Sequence, residues 1–220
     1  MCLSLLRATK RENGLLGLLV AVMVVLPTLA GAQPTTVPLD SLYAQADSLA
    51  EAGSTDAALH LYGKILERDS TEKSALFDRA ELFAELDRYA VAAQALKQIE
   101  EIETVTPPYI LGRRGWNLIL AGKPQEAREP TRGAMEKNPH HAAWPLNLGH
   151  SYALRGQPET AKFYYRKALR RLNSEEEYQK CLDDFNRFVE EDRSREEMLA
   201  MKDWFQITYL SEGAGGGPGP

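Results

Sequence analysis

The chain has 220 residues, of which 44% are hydrophobic and 26% charged, an ordinary balance for a folded protein. This composition excludes a collagen-like chain, a disordered chain and a multi-span membrane protein. The formal net charge is −5. A general nucleic-acid-binding protein is disfavoured, because such proteins need a basic surface to neutralise phosphates.

The first 32 residues have the pattern of an export signal. Three basic residues lie within 7–11, an apolar run follows over 15–29, and the small residues 30–32 come next. The run is shorter than the roughly 20 residues of a membrane-spanning helix. We therefore predict a cleavable signal peptide over 1–32 and an exported protein, periplasmic or extracellular. An uncleaved N-terminal membrane anchor is the alternative.

An internal repeat of about 34 residues organises the middle of the chain. It is marked by four alanines, Ala58, Ala92, Ala127 and Ala161, at spacings of 34, 35 and 34 residues. A glycine or aspartate turn precedes each alanine, and the turns at 122–124 and 156–158 share the sequence Gly-x-Pro. Each unit is therefore predicted to be a helix, a turn and a second helix. Such a pair must stack on its neighbours to bury its apolar face.

Other positions keep the same phase. Small residues occupy the position where helices must approach closely, at Ala46, Ala80, Gly115 and Gly149. Large apolar residues follow three residues later, at Leu49, Phe83, Leu118 and Tyr152. Pro124 and Pro158 are predicted in the first turn of their second helices. The third repeat is the least regular, because Thr131 replaces a large residue and Pro130 should kink or shorten its helix.

In its period and in these positions the chain resembles the tetratricopeptide repeat (TPR) family. The resemblance covers about residues 39–175 and is strongest at 144–152. It implies an all-α fold, a right-handed α-solenoid of about four TPR helix pairs with C-terminal capping helices. The predicted repeats are 39–72, 73–106, 108–141 and 142–175.

After residue 173 the repeat phase is lost. Ser174 with Glu177, and Ser194 with Glu197, have the spacing of capping boxes, which open helices. We predict two helices at about 175–191 and 195–210, and we expect residues 176–210 to cap the apolar end of the fourth repeat. Two segments outside these elements are predicted to be irregular, a linker at 33–38 and a disordered Gly/Pro tail at 211–220.

No recognised catalytic motif is present. The chain lacks a phosphate-binding glycine loop, and its histidines do not complete a metal-ligand spacing. We predict no enzyme activity, no catalytic residue, no metal and no cofactor.

Cys181 is the one cysteine of the sequence after residue 32, so it has no internal partner for a disulfide. It is expected to be a buried apolar residue. The basic run 166–171 is interpreted as a solvated helix face. The alternative is a specific contact with anionic lipid or nucleic acid.

TPR proteins bind ligands in a groove lined by the first helix of each repeat. In this chain that stripe is acidic in the first two repeats and aromatic or apolar in the last two. The predicted groove residues are Asp47, Glu51, Asp78, Glu81, Glu85, Tyr109, Arg113, Trp116, Asn147 and His150. The competing interpretation is an ordinary helix surface, with the acids solvating one side and Trp116 filling a packing gap.

The favoured function is an exported scaffold that binds a protein or peptide partner carrying basic and aromatic residues. One alternative is a structural subunit of an envelope assembly or transport complex. A second is a divergent enzyme or an enzyme accessory protein. No nucleic-acid partner is expected, and peripheral membrane association is left open.

Overall fold

The computed structural model describes residues 37–212, which contain ten helices and no strand. The first eight are α1 (Leu39–Glu51), α2 (Thr55–Arg68), α3 (Lys73–Glu85), α4 (Tyr89–Ile102), α5 (Pro108–Leu120), α6 (Arg128–Lys137), α7 (Ala143–Ala153) and α8 (Pro158–Leu169). The last two are α9 (Glu175–Glu190) and α10 (Arg195–Ser211). The predicted all-α fold of four helix pairs followed by capping helices is confirmed. The predicted signal peptide, most of the predicted linker and the tail from 213 lie outside the described residues.

The turn inside each helix pair needs a residue with positive φ. Gly53, Gly122 and Gly156 have φ of 72°, 75° and 64°, and Asp87 has 55°. The next residue in each turn donates its N–H to a carbonyl near the end of the first helix, which satisfies a group that the helix leaves unpaired. The four bonds run from Ser54 to Leu49, Arg88 to Phe83, Lys123 to Leu118 and Gln157 to Tyr152, at 2.8, 2.8, 2.8 and 3.0 Å.

The small residues of the repeat mark close helix contacts. The four alanines that define the period are fully buried. Gly149 lies so close to Tyr165 that a Cβ atom there would be 2.3 Å from the tyrosine ring. A Cβ on Gly115 would lie 2.1 Å from Oγ1 of Thr131. The repeat therefore uses alanine or glycine where the first and second helices touch.

The second helix of the third pair is shortened, as Pro130 predicts. It begins only at Arg128 and has 10 residues, against 14 in α2 and α4. Pro130 has no N–H to donate to the preceding turn. The prediction for Pro124 was wrong, because it lies in a turn before α6 rather than in its first turn. Pro158 does begin α8.

The two predicted capping boxes have different outcomes. At Ser174 the Oγ accepts a hydrogen bond from the N–H of Glu177 at 3.2 Å, which opens α9. At Ser194 the prediction was wrong, because the residue adopts left-handed backbone with φ of 46° and its side chain accepts no capping bond. Among the described residues, none of the helices is both long and apolar enough to cross a membrane.

Candidate functional site

We define the groove face as the side of α1, α3, α5 and α7 that carries the ten predicted groove residues. The two ends of this face differ in what covers them. At α7 the face is buried beneath α9, whereas at α1 and α3 it is exposed or half-buried. The candidate site is therefore the part of the face on α1, α3 and the first half of α5.

Two of the predicted groove residues do not face solvent. Asn147 is 5% exposed and His150 is fully buried. The ring of His150 lies 4.7 Å from that of Phe185 and 5.1 Å from that of Phe188, measured between centroids, and both phenylalanines belong to α9. The expectation that Asn147 and His150 line an open groove was wrong, because both side chains are buried and the apolar face of α9 packs on His150.

His150 has a structural role in this position. Its Nδ1 is 3.0 Å from the hydroxyl of the buried Tyr165, which ties α7 to α8. Burial lowers the pKa of His150 to about 3, so the ring is neutral at physiological pH. A neutral, enclosed imidazole that already holds one hydrogen bond stabilises the fold and does not contact a partner.

Trp116 is half-buried and also contacts α9. Its ring centroid lies 5.9 Å from that of Phe188 in an edge-to-face arrangement, and 6.1 Å from that of His150. These contacts match the alternative in which the ring fills a packing gap between helices. Trp116 marks the boundary between the covered and the open parts of the groove face.

The open part is a cluster of carboxylates. Asp47 on α1 accepts a hydrogen bond of 2.5 Å from the hydroxyl of Tyr62. The pKa of Asp78 is raised, chiefly by burial and further by the charges of Asp47 and Glu81. The pKa of Glu81 is also raised, chiefly by burial, although Arg113 opposes this. These carboxylates are close enough to repel one another, so a cation placed among them is favoured.

Arg113 supplies part of the neutralising charge. Its guanidinium lies 2.7 Å from a carboxylate oxygen of Glu81. Half of the Arg113 side chain remains exposed, so the pair is screened by solvent and contributes little stability. The other two predicted acids, Glu51 and Glu85, are exposed. Asp47, Asp78 and these two acids form no ion pair with any residue of 37–212.

The open part of the groove face also carries an aromatic side chain. Tyr109, at the start of α5, is 53% exposed. Its ring packs edge-on against Phe77 of α3, with centroids 5.7 Å apart. An exposed aromatic ring on the same face as carboxylates is a combination that suits a lysine or arginine followed by an apolar residue.

A second feature lies where α9 begins. A cavity of about 500 Å³ opens between the α6–α7 junction and α9, and Cys181 and Asp184 are among its lining residues. Burial raises the pKa of Cys181 to about 12, so the thiol is protonated and unreactive, as expected for a buried apolar residue. Burial also raises the pKa of Asp184 to about 7, although Arg187 opposes this. Within 37–212 no three histidine, cysteine or carboxylate side chains are grouped as metal ligands.

Sequence reasoning found the acidic part of the face but missed the helix that covers the rest. Helical spacing predicts an apolar stripe on α9 that covers the end of the fourth repeat. Phe185 and Phe188 in that stripe were the available signal. Helical spacing shows that a face is apolar, and it does not show which neighbour the face packs against.

Comparison with known protein families gives two matches. Two family models, both described as tetratricopeptide repeat, match residues 43–103 and 146–171. The first covers most of α1 and all of α2, α3 and α4, and the second covers most of α7 and all of α8. No curated protein matches the chain in sequence.

Solved structures of MamA share the fold. A crystal structure of the MamA protein superposes with a TM-score of 0.60 at 16% identity, covering 82% of this chain and 98% of that one. A second MamA crystal structure has a TM-score of 0.58 at 17% identity, covering 76% and 95%. MamA from Desulfovibrio magneticus RS-1, from its residue 41 onward, gives 0.56 at 16% identity, covering 61% and 75%. At this identity the likeness concerns the fold alone.

Proposed function

Because this chain is a tetratricopeptide repeat protein, we propose that it is a protein-interaction scaffold that holds a basic protein segment on the open part of its groove face. The observation that carries the proposal is the contrast along that face. Its C-terminal part is filled by α9 of the same chain, whereas its N-terminal part presents carboxylates with too few cations to balance them.

The chemistry of the partner follows from the side chains available to it. Asp47, Asp78 and Glu81 would accept hydrogen bonds from lysine or arginine. Charge-assisted bonds of this kind are each worth about 1.5–3 kcal/mol. Tyr109 would pack against an apolar or aromatic residue beside the cation. This role needs no chemical step, and we propose that the chain acts as a scaffold rather than as an enzyme.

A binding experiment tests the proposal. A fluorescein-labelled peptide that alternates lysine with phenylalanine is titrated with the full chain, and its anisotropy is followed. The double variant Asp78→Asn/Glu81→Gln should bind the peptide about a hundredfold or more weakly, because two charge-assisted contacts of about 1.5 kcal/mol or more each are lost. Asp56→Asn/Glu67→Gln on α2 removes the same charge outside the groove face and should leave the affinity nearly unchanged. Equal losses in the two variants would mean that attraction is non-specific.

An exported location is part of the proposal and is supported by the pattern of residues 1–32. Cleavage after that segment would leave a mature chain beginning near Gln33. Mass spectrometry of the protein from its native cell should find that terminus. Soluble cytoplasmic protein that retains Met1 would contradict the proposal.

A further inference from the structure

A second surface, away from the groove face, combines cations with aromatic rings. It is formed by side chains of α6, α7 and α8. We call it the cation–aromatic patch, consisting of Arg128, Arg132, Tyr152, Phe163, Tyr164 and Lys167.

Its centre is a pair of stacked tyrosines. The rings of Tyr152 on α7 and Tyr164 on α8 are 5.4 Å apart and only 5° from parallel. The guanidinium of Arg128 lies over the ring of Tyr152, 4.0 Å from its centroid. Arg132, one turn later on α6, donates a hydrogen bond of 2.6 Å to the Tyr152 hydroxyl. Two arginines are therefore held in place by one aromatic side chain.

The third cation of the patch is Lys167 on α8. The Nζ of Lys167 is 4.4 Å from the ring centroid of Phe163 and 5.9 Å from that of Tyr164. Phe163 is 53% exposed and packs edge-on against Tyr164, with centroids 5.2 Å apart. An exposed aromatic ring thus lies beside Lys167.

None of these three cations is neutralised within residues 37–212. Arg128 donates to Ser151 and Gln157, which are both uncharged. Elsewhere on the same helices the cations do find acids, as in the pairs Lys162–Glu159 and Arg166–Glu212. Ordered cations without carboxylates retain hydrogen-bonding capacity that an external anion can use.

We propose that the cation–aromatic patch is a second docking surface, which binds an acidic segment of a partner protein. Guanidinium groups fixed by hydrogen bonds and rings donate hydrogen bonds to carboxylates with defined geometry, and Phe163 packs against an apolar residue of the same segment. A membrane surface is less favoured, because binding in the lipid interface depends on buried apolar area and Phe163 alone of the patch residues is an exposed large apolar side chain.

The two surfaces have opposite charge preferences. The groove face is acidic, and the patch is basic. A scaffold with both can hold a basic and an acidic partner simultaneously. The inference for the patch stands on its own contacts, and it does not require the groove proposal to be right.

The test uses the full chain and a fluorescein-labelled oligoglutamate peptide at low salt. Arg132→Gln should weaken binding about tenfold, because a charge-assisted contact of about 1.4 kcal/mol or more is lost. Lys97→Gln is the matched control. Lys97 stands five residues after Ala92, as Arg132 stands five after Ala127, and it already pairs with Glu101 at 3.4 Å. The control should change the affinity less than about twofold, since surface pairs of this kind contribute little.

Equal effects of Arg132→Gln and Lys97→Gln, or no binding of oligoglutamate by the parent chain, would overturn the proposal. A second outcome would also overturn it. If the chain does not bind the peptide but binds phosphatidylglycerol vesicles and not phosphatidylcholine vesicles, the patch is a site for anionic lipid. Binding of the lysine–phenylalanine peptide should be unaffected by Arg132→Gln. This separates a failure of the patch proposal from a failure of the groove proposal.

Discussion

The ring of Phe188 on α9 lies edge-on to the ring of Trp116 on α5, with centroids 5.9 Å apart and planes at 76°. This contact joins α5 of the third repeat to a helix that follows the repeats. It places a capping helix on the groove face rather than only at the end of the solenoid. The open surface for a partner is reduced accordingly to α1, α3 and the first half of α5.

We predict that Trp116 and Phe188 stabilise the fold as a coupled pair. Phe188 is fully buried, so Phe188→Ala should lower the free energy of unfolding by about 3–5 kcal/mol. Trp116→Ala should also destabilise the free protein. A double-mutant cycle measured by urea denaturation should give a coupling of about 0.5–1.5 kcal/mol, as for other edge-to-face pairs.

Phe163→Ala is the control for this pair, because that ring is more than half exposed. It should change stability by less than about 0.5 kcal/mol. A Trp116→Ala variant as stable as the parent would show that the ring does not stabilise the fold. Trp116 would then be a candidate for contact with a partner.

The second prediction concerns the close approach of α7 and α8. Gly149→Ala would place a Cβ atom 2.3 Å from the buried ring of Tyr165, so the ring or the helix must shift. We expect a loss of about 1–3 kcal/mol in the free energy of unfolding, typical of overpacking. Gly63→Ala in α2 is the matched control, since a Cβ there has no neighbour within 4 Å.

Gly63→Ala should stabilise the protein by up to about 1 kcal/mol, because alanine favours the helix over glycine. The two variants should therefore differ in sign in a thermal denaturation experiment. A stabilising Gly149→Ala variant would contradict the close packing of α7 on α8.

The third prediction is a pH dependence caused by Asp184. Its pKa is raised from the ordinary value of 3.8 to about 7, chiefly by burial. The folded chain therefore holds this proton more tightly than the unfolded chain does. The contribution of Asp184 to the free energy of unfolding is fully present below about pH 3.8. It is lost as the pH rises through about 7. Relative to the parent, Asp184→Asn should be more stabilising at pH 8 than at pH 5.

His150 acts in the opposite direction, and the comparison at each pH removes its effect. Its pKa is lowered from 6.5 to about 3, so its contribution is present above pH 6.5 and is lost as the pH falls toward 3. This change is common to the parent and to Asp184→Asn. Urea denaturation of both proteins at the two pH values measures the difference, and equal differences at pH 5 and pH 8 would refute the assignment.

The fourth prediction concerns association with a basic partner. Glu81→Lys reverses a charge in the acidic cluster and puts a cation next to Arg113. We expect slower association with the lysine–phenylalanine peptide and a smaller effect on dissociation, because charge at a partly exposed surface steers encounter. Stopped-flow fluorescence at several salt concentrations measures both rates. Salt should slow association with the parent chain, since exposed charges are screened over about 8 Å at physiological ionic strength.

An association rate for the parent chain that does not respond to salt would show that the carboxylates do not guide the peptide. Glu67→Lys on α2 is the matched control for the charge reversal. If it slows association as much as Glu81→Lys does, the effect comes from net charge rather than from the acidic cluster.

The sequence by itself determined the helix pairs and their turns. Helix, turn and close approach are local requirements, and each is met by particular residues at a fixed period. Gly122 and Gly156 adopt positive φ because glycine lacks the Cβ that penalises it, and Ala161 is buried because its side chain is small enough for helix contact. The shortening of α6 also followed from one local feature, the missing N–H of Pro130.

Only the tertiary structure decided which part of the groove face is open and where the cations meet aromatic rings. The helical spacing predicts that α7 presents His150 to an open groove. In the structure His150 is enclosed, because Phe185 of α9 packs against its ring. Arg132 and Tyr152 are likewise brought together from different repeats. Burial and charge pairing depend on which elements pack together across the chain, and a helical period specifies only the face that each helix offers.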